Sequence, residues 1–354
     1  MMNPTCLVTG ASGFMGRHLL ATLTAHGHPV LALLRRPETL PALREQVDAL
    51  GGHGELLHAL AGDLASSGLG LSDSDRRRTG QAAVVFHLGA QFAWRLPVDR
   101  ARAVNVHGAR QIAELAAASG SRLLMVGGFM LHNSTHLRRL GIDTEHPART
   151  DWAGVYRRSG GYEGSKLEAH FLVSRRMSEL AGALTCVHPA TLCGHSRTGH
   201  MLPAQPLAGL IDNLARGRLR AIPGTPAHWL PLVCVDFLAE LLRLAAFDPA
   251  LVGGELLVLD DATPNLAGLL ERLARALAVA PPRRYLSLGV LHANLQVPGA
   301  AQLLRTEPES LHFIQTQRFD TSVTRAFAAR HGVPWPDIGA ALEATARFAG
   351  PAGR

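Results

Sequence analysis

Lysine is almost missing from this chain. Of the 35 Lys and Arg residues among 354, a single one is lysine, Lys166. Tyrosine is nearly as scarce, with three copies, and aromatics make up 5% of the sequence. The four cysteines, Cys6, Cys186, Cys193 and Cys234, are scattered. That excludes a disulfide scaffold and any closely spaced Cys/His metal motif, so they read as reduced thiols of a cytoplasmic protein. His195 and His200 lack further ligands nearby in sequence, and no metal is expected. No uninterrupted apolar run approaches about 18 residues, which excludes a membrane-spanning helix. The opening MMNPTCLVTGASGFMG has no basic segment and no long apolar one, so it does not read as a signal peptide. Charged residues make up 18% and hydrophobic ones 47%, which excludes disorder as the main state.

The net charge of +7 is carried almost entirely by arginine. The runs Arg76–Arg78, Arg138–Arg139 and Arg157–Arg158 are short, and no row of stacking aromatics accompanies them. No nucleic-acid partner is therefore expected. The charge reads either as a solvated arginine-rich surface or as attraction to an acidic partner, such as a phosphorylated cofactor, coenzyme A or an acyl carrier protein. The lone lysine stands out against this background. Arginine is a permanently charged fork, whereas lysine is a compact ammonium whose pKa can be tuned. Tyr162 precedes it by four residues.

Apolar runs at 5–9, 30–34, 55–64, 83–90, 122–128 and 184–190 alternate with helical patterns at 15–26, 100–119 and 162–181. The runs do not alternate in polarity, which suits strands covered on both faces. The fold expected is α/β, a Rossmann-type doubly wound parallel sheet with a smaller, mostly helical C-terminal substrate lobe. Residues 1–190, with about 229–263, are assigned to the nucleotide-binding domain. Residues 191–228 and 264–354 are assigned to the lobe. Within these, 229–235 and 255–261 read as further strands and 236–247 as a helix.

The turn after the first run reads Gly10-Ala11-Ser12-Gly13-Phe14-Met15-Gly16. One glycine permits the tight turn, one lets backbone approach a pyrophosphate, and one lets helix and strand pack closely. The second run ends in Arg35 and Arg36 with no acid. Two cations favour a 2′-phosphate, hence NADP(H), or are simply surface arginines of an arginine-rich chain; an NAD enzyme usually places Asp or Glu there. Asp63 suits an adenine amino-group contact, or a loop cap. Tyr162 and Lys166 lie on one helix face. An ammonium beside a phenol favours the phenolate and lowers its pKa, so Tyr162 can exchange a proton with a substrate oxygen while hydride moves, and Lys166 can also hold the nicotinamide ribose.

TGASGFMG, GDL at 62–64, HLGA at 87–90, VNVHGA at 104–109 and YEGSK at 162–166 appear in this order. The chain resembles an extended short-chain dehydrogenase/reductase over residues 5–260, of the superfamily that includes NAD-dependent epimerases and dehydratases. The resemblance implies Asp63, Leu64, Leu88, Gly89, Ala90 and Val126 along the cofactor, and Asn105 in the helix that buttresses the active site. It implies Pro189, Ala190, Thr191 and Leu192 beside the nicotinamide. PATLCGHSRTG at 189–199 narrows it to the thioester reductase and fatty acyl reductase branch. Ser196, Arg197 and Thr198 could then bind a phosphopantetheine or carbonyl group, or simply form a self-bonded loop. His188 and His195 depart from that branch, which has Arg and Asp there. A homodimer through two helices of the Rossmann domain is the family-level expectation.

One departure bears on catalysis. The family places Ser or Thr after the run at 122–126 to hold the substrate oxygen, and this chain has Gly127, Gly128, Phe129 and Met130. The next hydroxyl is Ser134. Losing one such contact typically costs on the order of 10²–10³ in rate. Phe129 and Met130 read either as an apolar substrate wall or as core. The leading reading is an NADP(H)-dependent reductase of a hydrophobic carbonyl or acyl thioester, its small-molecule substrate carrier- or CoA-bound or free. The alternatives are a sugar-nucleotide epimerase or dehydratase, and a cofactor-binding member without catalysis.

Overall fold

A computed structural model describes residues 3–295, 297 and 308–350. Seven strands form the main sheet: β1 (Cys6–Thr9), β2 (Val30–Leu34), β3 (Leu57–Ala61), β4 (Val84–His87), β5 (Arg122–Val126), β6 (Leu184–Pro189) and, later in the chain, Glu255–Val258. Their order across the sheet is Glu255–Val258, β6, β5, β4, β1, β2, β3. Strands β1 to β6 pair in parallel, with Cys6 opposite Val30 on one side and Val84 on the other. Every residue of β1, β2 and β4 is buried, which is why these runs show no polar alternation. Edge strand β3 is only partly covered: Leu57 and Leu60 are buried, whereas His58 and Ala61 are exposed.

The strand order reverses between β1 and β4, the position at which such sheets bind ligands outside their carboxyl ends. Helices α1 (Phe14–Ala25), α2 (Leu40–Ala49) and α3 (Asp73–Thr79) follow the first three strands. After β4 comes α4 (Val98–Ala101), a π turn (Arg102–His107) and α5 (Gly108–Ala118). Then come α6 (Ser134–Leu140) and the long α7 (Trp152–Glu179). Leu7, Leu31, Val85, Ile112, Leu123, Val173 and Met177 belong to one buried core under this sheet.

The chain divides into two compact units, 1–188 with 239–256, and 189–238 with 257–354. Segments 229–238 and 257–263 therefore group with the second unit, whereas the sequence reading places them with the first. The reason is strand pairing. In the second unit β7 (Thr191–Cys193) pairs with β9 (Leu232–Cys234), not with the main sheet, while β8 (Ile222–Pro223) pairs with β11 (Tyr285–Leu286). Strand Glu255–Val258, β10, is the edge of the main sheet. The helices here are α8 (Pro206–Ala215), α10 (Leu266–Ala276), α11 (Leu288–Leu295), α12 (Ser322–Arg330) and α13 (Ile338–Ala349). The boundary between units runs through α9 (Val235–Phe247). Trp229 anchors the second unit: it is fully buried, its Nε1–H donates to Gln317 O at 2.9 Å, and Arg318 lies 4.0 Å over its ring.

Candidate functional site

The glycine turn lies where the strand order reverses. Gly10 sits at φ +72°, in the left-handed region, and a Cβ there would be 2.8 Å from Gly89 N. A Cβ on Gly16 would be 2.7 Å from Ala11 O, so α1 can begin hard against the turn only without a side chain. Gly13 is the N-cap of α1 and brings no side-chain acceptor, which leaves the first helical amides for another acceptor. Ser12 and Gly13 are exposed, Met15 is half-buried, and Phe14 is buried edge-on against His18.

The loop after β4 is tied to this turn. Gly89 N–H donates to Thr9 Oγ1 at 3.1 Å, and Thr9 Oγ1 is 2.8 Å from His87 Nδ1. Leu64 packs closely here: a Cβ on Gly89 would be 2.7 Å from it, and one on Gly108 2.8 Å. Leu88 and Ala90 are half-buried beside Gly89. Asp63 Oδ1 accepts the Ala65 N–H at 3.0 Å, the local turn cap that the sequence leaves as its second reading. Arg35 and Arg36 are exposed just past β2, and neither guanidinium is hydrogen-bonded or ion-paired among the described residues.

Tyr162 and Lys166 lie on α7 just beyond a break. Gly160 has φ +79°, and a Cβ on Gly161 would overlap the Leu96 carbonyl, so the Gly160-Gly161 pair restarts the helix at the site. Lys166 Nζ donates to Val126 O at 2.6 Å. Ser165 Oγ donates to Tyr162 O at 2.8 Å and accepts from Asn105 Nδ2 at 2.8 Å. Asn105 Oδ1 in turn accepts the Gln91 N–H at 2.7 Å. Asn105 is buried in the π turn, a widening that often marks functional sites. Phe92 packs edge-on against the Tyr162 ring at 4.7 Å, and Trp94 against Phe92 at 4.9 Å.

Burial pushes the Tyr162 phenol up to about 12, and the Glu163 charge adds to this. Burial pushes the Lys166 ammonium down to about 8. The expectation that Lys166 lowers the Tyr162 pKa does not hold here. Desolvation and Glu163 dominate at the phenol, and the ammonium is directed to the Val126 carbonyl. Glu163 is itself buried and lies 2.6 Å from His136 Nε2.

The two glycines after β5 differ. Gly127 N–H donates to Val187 O at 2.8 Å. A Cβ on Gly127 would collide with the His188 imidazole, 2.7 Å from Cε1 and closer still to Nδ1. Gly128 is extended, at φ −163°, and nothing lies within 4 Å of a Cβ placed there. Phe129 and Met130 are buried, 2% and 4% exposed, and Ser134 is exposed at the first position of α6. Sequence reasoning missed Ser165, Gln91, Phe92 and the fit of His188 against Gly127. Only the oddity of a histidine at 188 signalled the last.

In the second unit, Ala190 N–H donates to Val258 O at 3.0 Å, and Thr191 and Leu192 lie in β7 beyond Pro189. Ser196 is held by Asp236, through N–H to Oδ1 at 2.8 Å and Oγ to Oδ2 at 2.6 Å. Arg197 is exposed, and its N–H donates to His195 Nδ1 at 3.2 Å.

Residues 8–242 match the family model of the Male sterility protein, a nicotinamide-dinucleotide-binding family. The chain belongs to this family. The family is of the extended short-chain dehydrogenase/reductase kind. A 4-hydroxy-2-methyl-3-oxo-4-farnesyl-3,4-dihydroquinoline-1-oxide ketoreductase from Stigmatella aurantiaca is 29% identical over 73% of this chain and 68% of its own. Aldehyde reductase lnaA from Aspergillus flavus is 29% identical over 70% of this chain and 25% of its own. The hybrid synthetase cheA from Chaetomium globosum is 28% identical over 61% of this chain and 4% of its own. The chain thus spans a quarter or less of the latter two relatives. The terminal R domain of the myxalamid PKS-NRPS pathway has the same fold, with TM-score 0.76 and 21% identity over 99% of this chain and 91% of that one. So does Gre2 of Candida albicans in complex with NADPH, with TM-score 0.69 and 14% identity over 99% and 100%. Among the described residues no helix is long and apolar enough to cross a membrane.

Proposed function

We propose that this protein is an NADP(H)-dependent reductase of a hydrophobic carbonyl or acyl-thioester substrate. One observation carries the reading. The only lysine and a half-buried tyrosine share a helix turn whose geometry is fixed from both sides, by Asn105 through Ser165 and by the Val126 carbonyl. The relatives named ketoreductase and aldehyde reductase support carbonyl chemistry, and the fold shared with a thiolation-reductase di-domain supports a carrier-tethered acyl group.

The residues fit a dinucleotide. The side-chain-free Gly10–Gly16 turn and the uncapped start of α1 suit a pyrophosphate, and Arg35 and Arg36 suit a 2′-phosphate. When bound, NADPH supplies the hydride. Tyr162 supplies the proton: with its phenol near 12 it is protonated at neutral pH, as an acid in a reduction must be. Lys166, anchored on the Val126 carbonyl one helix turn away, would hold the nicotinamide ribose. The Asn105–Ser165 link keeps that turn in place through the proton transfer.

The test is NADPH oxidation with acyl-CoA thioesters, aldehydes and hydrophobic ketones. Tyr162→Phe is expected to lower turnover by about 10² or more with NADPH affinity unchanged. Equal turnover in the variant would refute the assignment. The responding substrate class separates thioester from carbonyl reduction.

A further inference from the structure

A second cluster of chemically active side chains lies behind the end of β5. His188 comes from the end of β6, Glu255 from the start of β10, and His132 from the 3-10 turn Phe129–His132. His188 Nε2 is 3.2 Å from Glu255 Oε2, and His132 Nε2 is 3.7 Å from Glu255 Oε1. The His132 and His188 rings lie 5.1 Å apart at 63°. One ligand atom from each of the three residues falls within 4.8 Å of the others. The His188 side chain is 0% exposed. His132 Nε2 and His188 Nδ1 are buried without a hydrogen-bond partner among the described residues, as is Nδ1 of neighbouring His170. Buried polar atoms are normally paired, so three orphaned imidazole nitrogens in one cluster require an explanation.

We propose that His132, His188 and Glu255 form a binding site for a divalent transition-metal cation, with Zn²⁺ the best match. Two imidazoles and one carboxylate are a common three-ligand set for zinc that leaves a fourth position open. Zinc bonds of about 2.0–2.1 Å at the tetrahedral angle put ligand atoms roughly 3.4 Å apart. The two imidazoles lie near that distance from the carboxylate, at 3.2 Å from Oε2 and 3.7 Å from Oε1, and one ligand atom from each residue is within 4.8 Å of the others with no ion required to arrange them. Glu255 is 52% exposed, so an ion has a way in and a solvent-facing fourth ligand position. His188 is packed against Gly127, whose neighbour Val126 holds Lys166, so a cation here would stiffen the strand end that positions the lysine. The site is independent of the reductase reading, because its three ligands make no part of the Tyr162–Lys166 pair.

A competing arrangement, His170–Cys186–His188, shares one ligand and includes a thiol. Co²⁺ distinguishes them. The full chain, stripped with chelator, is titrated with Co²⁺ and then Zn²⁺, and binding is followed by absorption and by metal analysis. The expected result is one ion per chain, tetrahedral Co²⁺ bands without a thiolate charge-transfer band, and displacement by Zn²⁺. Glu255→Gln is half-exposed and well placed to keep the fold; it is expected to weaken Zn²⁺ binding by at least about tenfold. His132→Ala is expected to do the same. A thiolate band would move the ion to the Cys186 group and overturn the assignment. Undetectable binding, or the same affinity in Glu255→Gln, would overturn it as well, the latter by assigning the ion to other histidines among the 18.

Discussion

Gly127→Ala tests whether two departures from the reductase pattern, the glycine after β5 and the histidine at 188, are one structural event. The new methyl would sit 2.7 Å from His188 Cε1 and 3.0 Å from Leu131 Cδ1. His188 cannot give way easily, because its side chain has no exposed surface. Such overpacking costs about 1–3 kcal/mol. For a large domain that is a loss of roughly 2–4 °C in Tm per kcal/mol. Removing the ring should remove the clash, so in a His188→Ala background Gly127→Ala is expected to cost little, a coupling of about 1–3 kcal/mol. Gly128→Ala is the control, since its Cβ meets nothing within 4 Å. Its effect is expected to stay within about 0.5 kcal/mol. The assay is denaturant unfolding of all variants in excess chelator, so that cation binding does not contribute. Equal cost of Gly127→Ala in both backgrounds would refute the packing account.

Two further outcomes are expected. Arg35→Ala with Arg36→Ala should weaken NADPH by more than tenfold and NADH little, because a guanidinium pairs with the 2′-phosphate that only NADPH carries; equal losses, read by fluorescence titration, would exclude the assignment. Burial, with the Lys166 charge, pushes the His87 imidazole down to about 3. The unfolded chain, with an ordinary histidine near 6.5, then binds the extra proton first, so stability is intact above about pH 6.5 and falls as pH drops toward 3. The loss is about 2 kcal/mol by pH 5. His87→Gln should flatten the pH dependence of unfolding by that amount, and parallel curves for the two proteins would sink this reading.

The first strand, the glycine turn and α1 are legible in the sequence because each is a local signal: an apolar run, three glycines at fixed spacing, and a helical pattern. Tyr162 and Lys166 are legible for a different reason, since a lone lysine in an arginine-rich chain cannot hide. Other elements give no such signal. The helix α3, DSDRRRT, has no apolar face to reveal it, and it is held by a Ser72 cap whose Oγ accepts the Asp75 N–H at 3.1 Å. Strand β7 is three residues long and exists only because β9 lies beside it.

The sequence by itself determined the doubly wound sheet, the dinucleotide turn and the tyrosine–lysine pair, because periodicity and short-range spacing encode them. Tertiary structure alone decided the electrostatics of that pair, since burial and Glu163 outweigh a lysine four residues away at the phenol. It also decided the His132–His188–Glu255 cluster. Those residues are 56 and 67 positions apart in the chain. No spacing rule connects them, and only the pairing of β6 with β10 and the turn after β5 bring their side chains to one point.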